Sequence, residues 1–305
     1  MNIKAWVSAF RLRTLPLSIS SIAMGSFLAA SAGSFNPEVL FWATTTTVFL
    51  QILSNLANDY GDYANGADNV FRTGPKRAVQ AGAISPVAMK TGIVIFAILS
   101  LISGIWLLVQ TLAFSSSGTF GFFLVLGLLA VVAAIKYTSG SNPYGYAGFG
   151  DASVFLFFGL IGVLGTYYLH VKDLNYMLIL PASSCGLFSA AVLNINNIRD
   201  IDSDRMAGKK SIPVRIGLWK ARIYHLFLVI SGTACAFLFV LFNYTSLWQF
   251  LFLIISPLLI YNVYKVYTFS SPSEIDKSLR QMAISTLAFV ILFGIGNLIG
   301  QLKLL

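Results

Sequence analysis

The chain reads as an all-α integral membrane protein of nine transmembrane helices, and three observations predict this. Of its 305 residues 57% are hydrophobic and only 10% are charged, and the mean hydropathy of +0.78 lies outside the range of water-soluble domains. Apolar runs of about 20 residues recur almost without pause, the length a helix needs to cross a hydrocarbon layer of about 30 Å. The alternation of a membrane barrel is absent, so each span must satisfy its own backbone hydrogen bonds as a helix. The third observation is the placement of charge. Eighteen of the twenty Lys and Arg residues fall on one set of alternating loops, with only Lys172 and Lys303 on the other. By the positive-inside rule this supports the span count and a cytoplasmic N-terminus.

The spans are placed at residues 14–34, 38–58, 87–112, 118–136, 150–169, 174–197, 219–243, 246–268 and 281–302, forming a single polytopic domain over residues 1–305. The first follows the basic stretch MNIKAWVSAFRLR, which is short and lacks a small-residue cleavage site, so no removable signal peptide is expected. The second closes on the acidic stretch NLANDYGDYANGAD (Asn55–Asp68), and the basic residues Arg72, Lys76 and Arg77 follow it. Spans three and four are joined by the uncharged Ser115–Gly118 turn. Between spans four and five lies KYTSGSNPYGYAGFGD (Lys136–Asp151), either an ordinary polar turn or a cap whose Tyr137, Tyr144 and Tyr146 lie over a substrate. Tyrosine faces stabilise a developing cation through the ring quadrupole.

Span five ends at an exposed His170, and span six runs into NNIRDIDSDRMAGKK (Asn196–Lys210). Cys185 and Cys235 sit inside apolar runs and read as small hydrophobes, with neither a disulfide framework nor a metal spacing. His170 and the mid-span His225 are expected to be structural. Spans seven and eight meet at the uncharged Asn243–Ser246 turn, and Lys265, Lys277 and Arg280 flank the connection to span nine. The net charge of +9 is spread over these membrane-adjacent loops, which argues for topology rather than a nucleic-acid-binding face.

Seven formal charges within Asn196–Lys210 are anomalous in so apolar a chain. A solvated loop can hold mixed charge, but Asn55–Asp68 also closes a span, and on the same side. Six of the eleven acids, Asp59, Asp62, Asp68, Asp200, Asp202 and Asp204, lie in these two stretches. Residues four apart share a helix face, so Asn58 with Asp62, Asn196 with Asp200, and Asp200 with Asp204 each present oxygen ligands along one stripe. Asp202 lies off that stripe and is expected either to support a ligand from behind or to be solvated. Intramembrane carboxylates are costly and face a partner or a cavity. An oxygen-only set without Cys or His suits Mg²⁺ bridging carboxylates to phosphates. Arg72, Lys76, Arg77, Lys209 and Lys210 are candidate diphosphate partners, or simply obey the positive-inside rule. A secondary transporter for an anion or divalent cation is the rival class, although its charges would sit near mid-span.

The segments NDYGD (Asn58–Asp62), RTGPKR (Arg72–Arg77), NNIRDIDSD (Asn196–Asp204) and GKKSIPVRIG (Gly208–Gly217) resemble the UbiA superfamily of intramembrane prenyltransferases. RLRTLPLSISSIAMG (Arg11–Gly25) and YTSGSNPYGYAGFGD (Tyr137–Asp151) resemble its 1,4-dihydroxy-2-naphthoate polyprenyltransferase subgroup. The resemblance covers about Arg11 to Gly217 and implies a UbiA-like nine-helix bundle with a central cavity and cytoplasmic cap loops. It implies Mg²⁺-dependent transfer of a polyprenyl group from its diphosphate to 1,4-dihydroxy-2-naphthoate with decarboxylation, in the bacterial inner membrane. Other aromatic acceptors within the superfamily, such as 4-hydroxybenzoate or homogentisate, are the alternative. Carried onto this chain, Asn58, Asp62, Asp200 and Asp204 are the expected metal ligands. Asp62, Asp200, Lys136 and Tyr137 are expected to be catalytic, and Asn55, Arg72, Arg77, Asn197, Lys209 and Lys210 to bind substrate. Arg13 is a candidate for the acceptor carboxylate. Where the family has an acid four residues after Asp62 this chain has Gly66, and Asp68 is the possible substitute.

Overall fold

The computed structural model describes residues 2–68, 76–112 and 116–302. Arg72, most of the RTGPKR motif and Lys303 lie outside these residues. Among those described, every regular element is helical. Nine helices are long and apolar enough to cross a membrane: Ile3–Ser31, Pro37–Ala64, Pro86–Leu112, Ser117–Lys136, Gly150–Val171, Tyr176–Arg199, Ile212–Phe242, Leu247–Thr268 and Glu274–Gln301. They are numbered here as spans one to nine.

The span boundaries follow local chemistry. Span two starts at Asn36–Pro37, where the Asn36 side chain accepts from the Glu38 amide and proline takes a position whose missing N–H costs nothing. Span eight opens with a reciprocal capping box between Ser246 and Gln249. Three departures from the pattern-based placement matter. Span one carries an additional short helix, Ile3–Phe10, ended by Arg11 in a left-handed conformation (φ 50°). Span two runs on to Ala64, so the whole of Asn55–Asp62 is helical. The last helix begins at Pro272, which places Asp276 on it rather than in a loop. Polar helical turns at the membrane surface are invisible to a hydropathy window. Span seven likewise starts early, at Ile212, and passes a break at Gly217 (φ 81°) before its apolar run.

Span six is the centre of the bundle: 72% of its most apolar window is buried, against 6% for span four, which faces outward. It packs against spans five, seven and nine. Between lipid-exposed helices water supplies no driving force for association, so packing relies on small residues that let backbones approach. A Cβ on Gly159 of span five would fall 2.8 Å from the Ala182 carbonyl and from the Gly186 Cα of span six. Span nine contacts span eight in the same way at Gly296. Within span five, Phe155–Leu164 is π-helical, a widened i→i+5 geometry that is rare and recurs at functional sites. The Ser21 hydroxyl of span one donates to the Phe158 carbonyl of this stretch.

His170 is buried rather than exposed. Its Nε2 lies 3.0 Å from the Ser26 hydroxyl and its Nδ1 accepts from the Asn36 amide at 3.1 Å, so it joins the ends of three spans. His225 is fully buried, 3.0 Å from Asn262 Oδ1, and is structural as expected. The two cysteines are free.

A cavity of about 440 Å³ lies among spans one to six. Its body is apolar, lined by residues such as Leu17, Leu50, Leu108, Leu124 and Phe157, and the acidic stretches and the Tyr137–Tyr146 segment close one end. Gly296→Val should lower the thermal unfolding midpoint in detergent, because its Cβ would sit 2.3 Å from the Trp248 carbonyl oxygen and overpacking costs about 1–3 kcal/mol. An unchanged midpoint would refute this account of the packing of spans eight and nine.

Candidate active site

The last turns of span two carry Asn55, Asn58, Asp59 and Asp62 toward the closed end of the cavity. Asn55 is a tie between spans: its amide donates to the Phe10 carbonyl at 2.9 Å and lies 3.2 Å from the Thr14 hydroxyl. Asn58 Oδ1 accepts from the Thr138 hydroxyl at 3.0 Å. Asp59 is 1% exposed and held by Arg11 at 3.0 Å, by Arg77 at 3.7 Å and by the Ala78 amide at 3.1 Å. Asp62 is 2% exposed. It meets the Arg77 guanidinium, the Tyr146 hydroxyl, and Lys209 Nζ at 3.1 Å. Asp68 also pairs with Arg77, at 3.3 Å. One guanidinium thus pairs with three aspartates, two of which have a further cation in Arg11 and Lys209. Burial alone would lower the Arg77 pKa, but the carboxylates of Asp62, Asp68 and Asp59 prevail and raise it.

The second stretch is built across a helix junction. Span six ends at Arg199, Asp200 takes φ −98° and ψ 14°, and the short helix Ile201–Met206 follows. The Asp204 amide still donates to the Asp200 carbonyl at 2.8 Å, so the four-residue spacing survives the junction. Arg199 grips both oxygens of Asp200 as a fork, Nε to Oδ1 at 3.0 Å and Nη2 to Oδ2 at 2.7 Å. Its other nitrogen reaches Asp276 of span nine, which also takes Arg13 at 3.0 Å. Burial pushes the Asp204 carboxyl up, against the pull of Lys209. The two acidic stretches meet through that lysine: its Nζ is 3.1 Å from Asp62 Oδ1 and 3.1 Å from Asp204 Oδ1.

The segment between spans four and five is a cap. A Cβ on Gly61 would lie 2.6 Å from the backbone and hydroxyl of Thr138, so glycine permits the cap to dock on span two. The Lys210 amide donates to the Tyr146 carbonyl at 2.8 Å, joining the cap to the second stretch. Tyr137, Tyr144 and Tyr146 all line the cavity. Lys209 lies 4.7 Å over the Tyr146 ring. Burial raises the pKa of Tyr137, and so does Asp151 beside it; burial and Asp62 do the same for Tyr146. Both therefore remain neutral phenols.

Asn55, Asn58, Asp62, Arg77, Tyr137, Asn197, Asp200, Asp204 and Lys209 all line the cavity. Lys136 and Lys210 are exposed and lie outside the lining. Arg13 is likewise outside the lining and pairs with Asp276. Asp202 is 77% exposed at its side chain and meets Arg205 at 3.6 Å, the solvated role its position off the stripe suggests. The sequence reading gave no role to Arg11, Thr138, Asp151 and Asp276, and named Asp59 only as one acid of its stretch. Asp276 carries a sequence signal as one of two acids in an otherwise basic connection.

Among the described residues no three His, Cys, Asp or Glu side chains form a ready-made metal cage. The donors facing this end are nonetheless all oxygens, a set that suits a hard divalent cation. The Lys209 ammonium between Asp62 and Asp204 marks a place where positive charge is held by both stretches.

Residues 18–290 match the UbiA prenyltransferase family, and the chain belongs to that family. Within it, the chain is 44% identical to the 1,4-dihydroxy-2-naphthoate octaprenyltransferase of Haemophilus influenzae, across 98% of this chain and 97% of that one. It is 43% identical to the protein of the same name from Escherichia coli, across 98% and 96% respectively. Its fold is similar to that of a UbiA homolog from Archaeoglobus fulgidus bound to GPP and Mg²⁺, with a TM-score of 0.64, 15% identity, and coverage of 95% and 99%.

Arg77→Met should cost stability as well as activity, on the order of 3–5 kcal/mol, because Asp59, Asp62 and Asp68 would each lose a buried cation. Asp202→Asn should change neither. Thermal unfolding and turnover of the two variants check this, and an Arg77→Met protein as stable as the wild type would contradict it.

Proposed function

We propose that this protein transfers a polyprenyl group from polyprenyl diphosphate to 1,4-dihydroxy-2-naphthoate, releasing CO₂ and diphosphate and giving demethylmenaquinone. One observation carries the reading: two acidic stretches, bridged by Lys209, close the polar end of an apolar cavity in a chain 44% identical to a curated enzyme of that name. Family membership sets aside the transporter reading.

Asn58, Asp62, Asp200 and Asp204 would hold Mg²⁺, which when bound neutralises the departing diphosphate. Arg77 and Lys209 face the same space and pair with diphosphate oxygens. Asn55 and Asn197 flank them. Lys210 and Lys136 contribute from outside the cavity lining, Arg72 is a further diphosphate partner, and Arg13 is the cation for the acceptor carboxylate. The apolar cavity excludes water from the allylic cation, and the neutral faces of Tyr137 and Tyr146 stabilise it. The electron-rich ring then attacks. A prenyl tail is as apolar as lipid, which is why the reaction is housed in a membrane bundle. The charge bias of the alternating loops orients the polar end and the N-terminus toward the cytoplasm of a bacterial inner membrane.

Membranes containing the protein, incubated with polyprenyl diphosphate, Mg²⁺ and each aromatic acid in turn, should yield prenylated naphthoquinol from dihydroxynaphthoate, identified by mass. Product from 4-hydroxybenzoate or homogentisate alone would overturn the acceptor assignment. Asp62→Ala and Asp200→Ala should each reduce turnover at least about 100-fold while leaving expression intact, and EDTA should abolish it. Near-wild-type rates in either variant would remove the diphosphate assignment.

A further inference from the structure

One carboxylate in the cavity is used by none of the chemistry above. Asp151 stands in the first turn of span five, is 8% exposed, and lines the cavity. The other buried aspartates at this end of the cavity, Asp59, Asp62, Asp68, Asp200 and Asp204, each sit on a cation. Asp151 does not: among the described residues no Lys or Arg pairs with it, and its partner is the Tyr224 hydroxyl of span seven, which donates to Oδ1 at 3.3 Å. A carboxylate inside a membrane span is costly unless a donor satisfies it, and the long bond from Tyr224 with that of its own backbone amide leaves accepting capacity unused. Its position is also particular. The Tyr137 hydroxyl packs on the neighbouring Gly150, where a Cβ would come within 2.7 Å of it. Asp151 adjoins Gly150, so the cavity carries, next to the Tyr137 hydroxyl, a carboxylate that no described Lys or Arg pairs with, apart from the aspartates that sit on cations.

We propose that Asp151 is the base that receives the acceptor's ring hydroxyl, a role that rests on the decarboxylative transfer proposed above. A carboxylate without a paired cation has accepting capacity for a phenolic hydroxyl. In the step, Asp151 takes the proton of the hydroxyl beside the carboxylate-bearing carbon, and the O–H electron pair passes into the ring. That ring carbon bonds to the allylic carbon, whose C–O pair leaves with diphosphate, and the oxygen becomes a ketone. The resulting β-keto carboxylate loses CO₂. The electrons of the broken C–C bond restore the aromatic ring and its oxyanion, and the proton returns from Asp151. No outside proton, oxidant or reductant is consumed. The proton is parked on a carboxyl that is thereby rendered neutral in an apolar site.

The test compares purified full-length wild type with Asp151→Asn and Tyr224→Phe, using two acceptors: dihydroxynaphthoate and its analogue 4-hydroxy-1-methoxy-2-naphthoate. Asp151→Asn should lose 100-fold or more in kcat on dihydroxynaphthoate, the scale of general base catalysis. The increase in thermal stability produced by polyprenyl diphosphate with Mg²⁺ should stay as in wild type. The methoxy analogue should slow wild type by a similar factor and slow Asp151→Asn no further, since base and proton are the same interaction. Tyr224→Phe should lose less than tenfold. Loss of the donor-induced stabilisation in Asp151→Asn would mark a structural residue and overturn the proposal. So would a kcat within threefold of wild type, or full additivity of the variant and the analogue. If wild type prenylates a different phenolic acid, the naphthoate assignment fails on its own, and the same comparison is run on that acid and its methyl ether.

Discussion

The polar end of this protein depends on how carboxylates are kept at the edge of a hydrocarbon layer. Asp59, Asp62 and Asp68 would each be expensive there alone, and Arg77 reaches all three. A planar guanidinium with five donors can serve several carboxylates at once, where an ammonium is a single point charge. Its position is in turn set by the chain around it: Arg77 donates to the Asn58 carbonyl at 2.6 Å, and the next residue's amide caps Asp59. The described part of the chain from Arg77 on is therefore folded onto the acids it pairs with. The cap then docks through Gly61 and Thr138, and Tyr146 closes over Asp62.

Not all of these acids do the same work. Asp59 is consumed by structure, with Arg11, Arg77 and an amide arrayed around it. Asp62 and Asp204 face each other through one lysine and are oriented toward the cavity. Asp200 is aimed by the Arg199 fork. This division separates residues whose loss would unfold the site from those whose loss would silence it, although they are neighbours in sequence.

Much of this was legible beforehand, and the reasons are physical. Hydropathy found all nine spans because each must carry about 20 apolar residues across lipid. The four-residue spacing found Asn58, Asp62, Asp200 and Asp204 because the helix of span two runs to Ala64 and the junction at Asp200 keeps an α-helical hydrogen bond. What pattern could not give was pairing at long range. Nothing local to Arg13 says that it meets Asp276, 263 residues away. Lys209 and Lys210 look alike in sequence; the chain direction after Gly208 turns one into the cavity and leaves the other in solvent. His170 read as exposed because it ends a span, but a span end can be covered by its neighbours. The π-helical stretch of span five has no signature in a sequence of Phe, Leu, Gly, Ile and Val.

The chain of charges from Arg13 through Asp276 and Arg199 to Asp200 has a consequence for the order in which the molecule is made. Asp276 belongs to span nine, which leaves the ribosome and enters the bilayer after the eight spans before it. Until it arrives, Arg199 has Asp200 but lacks the anchor that fixes its other nitrogen, and Arg13 at the opposite end of the chain has lost its partner. The second acidic stretch is translated about seventy residues before the element that finishes it. A nascent chain still short of its last span holds every residue that faces the cavity from spans one to six, yet its polar end is incomplete. Assembly of the site is thereby tied to completion of the whole bundle.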